Sequence, residues 1–450
     1  MAKSPLKNIA VIGAGWAGCT AAVELVKRGH KVQVFETART LGGRARQVES
    51  HQLTLDNGQH ILLGAYRQSL QVMRDVGVDI NQSFLRLPLQ MMYPPLDDGM
   101  QFSAPSSPLL PAPLHLLIAL WQSKGLEKED KLALARFSST ARWMGWKLYE
   151  DCTVNELLQR FGQTERLCKL MWYPLCIAAL NTSPHKASAQ VFLNVLRDSL
   201  GAKRSASDML IPKLNLTALF PEKAAVFLQS KGSQVTLGKA VTQITKSINN
   251  PKQWSLAFSN EETMVESNTG FDAVVIATDV NNAQRLLKSA SSSSTLPNFE
   301  FEAITTCYLQ YPVSVRLPLP MYALRDDVPR KKWGQYVFDR GYLHDDQTGL
   351  LAVVVSAPEN IRAIDHTDLA QAIALQLAES LGLPALERPL WHQIITEKRA
   401  TFSCTPGLTR PPNSTSDPGL VIAGDYTSGD YPATLEAAVR SGIAAAELLQ

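Results

Sequence analysis

Gly13-Ala14-Gly15-Trp16-Ala17-Gly18 is the stretch on which the fold turns. It follows an apolar run, residues 8 to 12, that reads as a buried parallel strand, and it opens a helix expected from Trp16 to Arg28 and ended by Gly29. Lys31 to Glu36 (KVQVFE) then alternates as a second strand. Strand, glycine turn, helix and strand make a βαβ unit in which each glycine has a task. Gly13 makes the tight turn, Gly15 lets a pyrophosphate approach the backbone, and Gly18 permits close packing of helix on strand. Ala14, Trp16 and Ala17 lie between them, and the helix N-terminus they begin presents amide donors to phosphate. Glu36 ends the second strand, where a carboxylate accepts from both ribose hydroxyls and repels a 2′-phosphate. That disfavours NADP and leaves NAD or FAD.

Arg39-Thr40-Leu41-Gly42-Gly43-Arg44 follows closely. Adjacent glycines let the backbone pass hard against a ligand, and an arginine reaches a phosphate. The pattern resembles the RxGGR motif of the amine oxidase and phytoene desaturase flavoproteins, in which it lies along the FAD pyrophosphate. Near the end of the chain, Val421-Ile422-Ala423-Gly424-Asp425 is a strand running into a Gly-Asp turn, continued by Tyr426 and by Tyr431-Pro432-Ala433-Thr434-Leu435-Glu436. The resemblance places Asp425 on the ribityl chain and the helix after Ala433 and Thr434 opposite the flavin edge, where a positive helix end suits charge developing on reduction. It also sets Gly238-Lys239-Ala240-Val241 against adenine and makes Phe271 to Thr278 a strand of the same sheet. Together these motifs imply FAD.

The substrate is read from other segments. Leu55-Asp56-Asn57-Gly58-Gln59-His60 falls where a polyene desaturase flanks its flavin, which sets Gly58 and Gln59 beside the cofactor. Trp172-Tyr173-Pro174-Leu175-Cys176-Ile177-Ala178-Ala179-Leu180-Asn181, then Ser205-Ala206-Ser207-Asp208 and Leu219-Phe220-Pro221, complete the pattern. The combination is similar to the squalene-associated FAD-dependent desaturases, better described as the hydroxysqualene dehydroxylase family. The resemblance is clearest over residues 8–66, 167–221 and 395–447 and loose over 290–394. It implies a hydrophobic isoprenoid substrate, hydroxysqualene, whose allylic hydroxyl leaves as hydride arrives from reduced flavin, in squalene and hopanoid biosynthesis. Such chemistry needs an acid and a dry apolar tunnel. His60 is the candidate acid, weighed against a structural histidine; Tyr431 is a second candidate, for which aromatic packing is the preferred reading. Two other classes stay open: an oxidative carotenoid-type desaturase or amine oxidase on the same frame, and a non-catalytic lipid-binding flavoprotein.

Composition narrows the field further. A net charge of +3 with scattered lysine and arginine argues against nucleic acid. Six dispersed cysteines, with no CxxC pair, suit reduced thiols in a cytosolic protein, and no metal is expected. The short polar stretch before Asn8 leaves no room for a signal peptide, and no apolar run reaches transmembrane length, so a cytoplasmic location is expected. The run Pro105 to Trp121 (PSSPLLPAPLHLLIALW) suits either a membrane interface or a buried helix; Lys124, Lys128 and Lys131 would meet anionic lipid in the first case. The expected architecture is α/β: a discontinuous Rossmann-type FAD-binding domain (1–75, 225–290 and 395–450) interleaved with a mixed sheet-and-helix substrate domain (76–224 and 291–394). No second dinucleotide site identifies an electron donor.

Overall fold

A computed structural model describes residues 5–105, 114–248, 250–259, 270–356 and 364–450. Its organising layer is a five-stranded parallel sheet in the order Gln234–Thr236, Lys31–Phe35, Asn8–Ile12, Ala273–Ile276 and Leu420–Ile422. Counted along the chain, these are strands 3-2-1-4-5, the doubly wound order that opens a ligand crevice at the carboxyl edge where the order reverses. The central strands are nearly continuous apolar runs because both faces are covered. Ile9 and Val11 point into one core with Trp16, Leu25 and Val439, while Ala10 and Ile12 point into another. That second core continues without a break into the helical region through Phe137, Trp172 and Phe192.

The turn after the first strand is built as its glycines require. Gly13 has φ of +103°, and a Cβ there would lie 2.6 Å from the Ala277 carbonyl oxygen. A Cβ on Gly18 would lie 2.0 Å from the Gly13 oxygen. The helix Trp16–Lys27 can approach the sheet only without those carbons. The last helix, Leu435–Glu447, begins with a cap in which the Thr434 hydroxyl accepts from the Ala437 amide. Glu436, fully buried in its first turn, accepts from the Ser69 amide and hydroxyl at 2.9 and 2.7 Å and pairs with Arg440. It thereby ties this helix to the start of Arg67–Asp75.

A second, antiparallel sheet runs Met321–Ala323, Tyr336–Asp339, Leu350–Ser356, Phe301–Gln310 and Trp391–Phe402. The last of these strands crosses position 394/395, where the sequence suggested a boundary. Gln234–Thr236 joins the parallel sheet, the chain turns at Gly238, and Val241–Lys246 pairs with Trp254–Phe258. The short helix Glu165–Leu167 passes through a π-helical turn, Cys168–Trp172, into the helix Tyr173–Leu180. Pro174 has no amide hydrogen to donate to the Leu170 carbonyl, and the Tyr93 hydroxyl donates to that oxygen instead at 3.0 Å. The serine-rich stretch 289–295 is hydrogen-bonded through Ser293 and Ser294 to Ser416.

Leu109 and Leu110 of the proposed interfacial segment lie outside the described residues, whereas Leu114–Gln122 is a helix. Among the described residues no helix is long and apolar enough to cross a membrane, and no group of His, Cys, Asp or Glu is placed to hold a metal ion.

Candidate active site

Glu36 closes the glycine turn from the side of the second strand. Its carboxylate accepts from the Ala14 amide at 2.7 Å and from the Ala38 amide at 2.8 Å. Gly238 and Lys239 donate backbone hydrogen bonds to Ala38 and Glu36, which carries Val241 toward the same edge. On the other side, the Gly42 amide donates to Ala14, and the backbones of Gly15 and Gly43 pass close together. Arg44 reaches across to the last strand, donating to Asp425 at 2.6 Å and to the Ala400 carbonyl at 2.7 Å. Motifs far apart in sequence thus meet at the carboxyl edge of the parallel sheet. Arg39 is not drawn in: it stays exposed on the preceding turn.

Two features fit this cradle to a polar ligand. Gly15 has an ordinary helical-entry φ of −73°, and a Cβ built on it meets no protein atom closer than 3.9 Å. Neither its backbone angle nor the packing of the protein requires glycine there, so the free space serves a ligand. The Tyr426 hydroxyl is buried with no partner among the described residues, beside Arg44, Asp425 and Asp279. A buried phenol without a partner costs about 1–3 kcal/mol, which a bound acceptor would relieve. Burial pushes its ionisation well above the usual phenol range. Tyr426 was passed over in the sequence as mere continuation of the Gly-Asp turn; its adjacency to Asp425 was the available signal.

The Gly58-Gln59-His60 segment lies against the antiparallel sheet, with the Gln59 amide donating to the Thr306 hydroxyl. His60 Nδ1 is 2.7 Å from the Gly58 carbonyl. That carbonyl can only accept, so Nδ1 carries a hydrogen and Nε2 is left as the second ring position. Burial lowers the His60 pKa, opposed by the Gly58 carbonyl and by the charge of Asp56. Behind the segment, Arg340 is 1% exposed. It donates to Gln59 and Gln347, each at 2.8 Å, and stands 3.9 Å from Asp56. No sequence signal marked Arg340, which falls where the resemblance is loose.

Tyr431 sits apart from this segment. Its hydroxyl donates to Asp198 at 2.9 Å, its ring lies under the Arg440 guanidinium at 4.2 Å, and it packs edge-on against Tyr66. Ala433 and Thr434 lead from it into the last helix. Trp16 is buried against Phe220, while Cys404 is a buried free thiol.

Parallel sheet, glycine turn, Gly-Gly-Arg crossing and Gly-Asp turn define an FAD-dependent oxidoreductase. The chain belongs to the flavin containing amine oxidoreductase family, whose model matches residues 16–450. It is 27% identical over 455 residues to the hydroxysqualene dehydroxylase of Sinorhizobium fredii, with 98% of each chain covered. It is 28% identical over 458 residues to that of Rhodopseudomonas palustris, again over 98% of each. Among solved structures, the cyclohexylamine oxidase of Brevibacterium oxydans aligns over 99% of both chains with a TM-score of 0.65 and 17% identity, a likeness of fold alone.

Proposed function

We propose that this protein converts hydroxysqualene to squalene by reductive dehydroxylation. The observation that carries the reading is the full-length similarity to hydroxysqualene dehydroxylases, joined to an apolar helical region that shares its core with the FAD-binding sheet. When bound in its reduced form, FAD supplies a hydride, so that the substrate's C–O bond breaks, a C–H bond forms and the hydroxyl leaves with a proton as water. The chain's own residues hold the reactants and handle that proton. Glu36 and Val241 take the adenosine end, and Gly13 to Gly18, with Gly42, Gly43 and Arg44, take the pyrophosphate. Gly58, Gln59, Asp425, Ala433 and Thr434 line the flavin side. His60 is the group placed on the proton path. Its Nδ1–H is held by Gly58, so a proton picked up at Nε2 is the one available to the departing hydroxyl. Tyr431, tied to Asp198, serves as packing.

The protein acts at the cytoplasmic face of a membrane, where such a substrate dissolves, with the helix Leu114–Gln122 in contact with lipid. The test of the reaction is incubation of the chemically reduced, FAD-loaded protein with hydroxysqualene under anaerobic conditions. Squalene carrying deuterium from deuterated reduced flavin is the expected product. Absence of squalene, with oxidation of an amine or a carotenoid precursor by the oxidised protein instead, would overturn the reading.

A further inference from the structure

We propose that Arg340 is a positioning residue for the proton donor. It fixes the Gln59 amide against His60 and shares the charge of Asp56, so that this carboxylate does not compete for the proton His60 releases; the use made of that proton rests on the reading above. Arg340 follows the strand Tyr336–Asp339, opens the short turn Arg340–Tyr342 and is 1% exposed. A guanidinium stays charged even when buried, so each of its partners matters. Nε donates to Gln347, whose amide donates in turn to the Thr54 carbonyl at 3.1 Å. Nη1 donates to Gln59 Oε1, and that leaves Gln59 Nε2 facing the His60 carbonyl at 3.4 Å. Arg340 thus grips the chain on both sides of Asp56, with a planar fork that a lysine does not offer. These amides are neutral. The charge partner is Asp56 itself, 3.9 Å away.

One carboxylate therefore faces two possible cations. While the His60 ring is neutral, Arg340 and Asp56 balance. A proton on His60 Nε2 adds a second positive charge, which favours its release to the substrate's hydroxyl oxygen as the C–O bond breaks. The ring returns to neutral with Nδ1–H still on Gly58. Burial pushes the Asp56 carboxyl up, and the Arg340 charge is the strongest influence holding it down, ahead of the Leu216 amide and His60. Without Arg340, Asp56 and His60 would together carry an uncompensated negative charge and bind a proton more tightly as a pair. The other titratable groups around them are already committed. The Tyr308 hydroxyl donates to the Asp56 carbonyl at 3.0 Å, and burial pushes its ionisation well above the usual phenol range. His344, beside Arg340, is pushed down to about 4 by burial and by the guanidinium. Glu397, across on the strand Trp391–Phe402, accepts from Asn57 at 3.3 Å, and its charge acts on Arg44.

The test follows the His60 ring and the Asp56 carboxyl by NMR in the oxidised, FAD-loaded protein, with histidine ring nitrogens and aspartate carboxyl carbons labelled; His60→Gln and Asp56→Asn assign the signals. In Arg340→Met, the first proton bound by the pair should arrive at higher pH than in the wild type, whichever of the two groups shows it. Arg340→Lys, which restores the charge without the fork, should return the titration toward the wild type. Squalene formation by the reduced protein should fall about tenfold or more in Arg340→Met. If that variant is not recovered folded, Asp56→Asn reads the same charge: His60 should then take up its proton at lower pH than in the wild type. A first protonation that stays put or moves down in Arg340→Met, an Arg340→Lys titration equal to that of Arg340→Met, or an unmoved His60 in Asp56→Asn would overturn the proposal. If the titrations move as expected and no squalene forms, the reaction reading falls and the hold of Arg340 on Asp56 stands. If squalene forms with unmoved titrations, the reaction stands and Arg340 is structural.

Discussion

His60 is held by opposed influences, with burial favouring the neutral ring and the Gly58 carbonyl and Asp56 favouring the cation. Burial wins, so the folded pKa lies below the ordinary value of 6.5. As pH falls below that value, the unfolded chain takes up the proton first. The contribution of His60 to stability is therefore complete above pH 6.5 and is lost as pH falls through the folded pKa. Thermal melts of wild type and His60→Gln between about pH 7.5 and 5 should diverge in that sense, with the variant showing the shallower dependence. If His60 carries the proton, the same variant should lower the rate of squalene formation by roughly 10²–10⁴. Full activity would make it a structural histidine pinned by Gly58. Tyr431 offers no such choice, because Asp198 already accepts its proton's hydrogen bond.

The glycine turn separates two demands at the level of the element. Gly18 is required by the protein itself, since a Cβ would lie 2.0 Å from the Gly13 oxygen and force the helix Trp16–Lys27 off the sheet. Gly15 is not required by the protein, since a Cβ there has 3.9 Å of clearance. Gly15→Ala should therefore leave the apoprotein's melting temperature unchanged or slightly raised and weaken FAD binding about tenfold or more. Gly18→Ala should be destabilised by at least ~3 kcal/mol and be recovered colourless. Flavin titration of the apoproteins and scanning calorimetry separate the two; equal behaviour of the variants would mean that the space beside Gly15 is not a ligand's. Both glycines look alike in the sequence, and only the distances around them tell the two demands apart.

Over the whole molecule, an apolar edge remains exposed on the helices Leu114–Gln122 and Lys128–Trp143. Trp121 is 80% exposed, one helical turn from Leu117, and Trp143 on the neighbouring helix is 87% exposed. Lys124, Lys128, Arg136 and Arg142 are exposed along the same two helices and their connection, among the acidic Glu127 and Glu129. Lys131 does not join them, because its ammonium donates to the Trp121 and Ser123 carbonyls and closes the end of the helix Leu114–Gln122. Ile118 is half-buried, so Leu117 and Trp121 are the residues to test. The wild type should cosediment with anionic liposomes and be released by salt, whereas Leu117→Glu/Trp121→Glu should stay in the supernatant with its flavin bound. A wild type that never sediments would leave this edge without a lipid role.

The sequence by itself determined the dinucleotide fold, because the tasks of Gly13, Gly15, Gly18 and Glu36 are local: each depends on neighbours within one βαβ unit. It also determined the cofactor, through short motifs whose order along the chain is informative even before their contacts are known. Tertiary structure alone decided what depends on distant partners. Arg44 meets Asp425 across 381 positions, Arg340 finds Gln59 across 281, and the Tyr426 hydroxyl has no partner among the described residues.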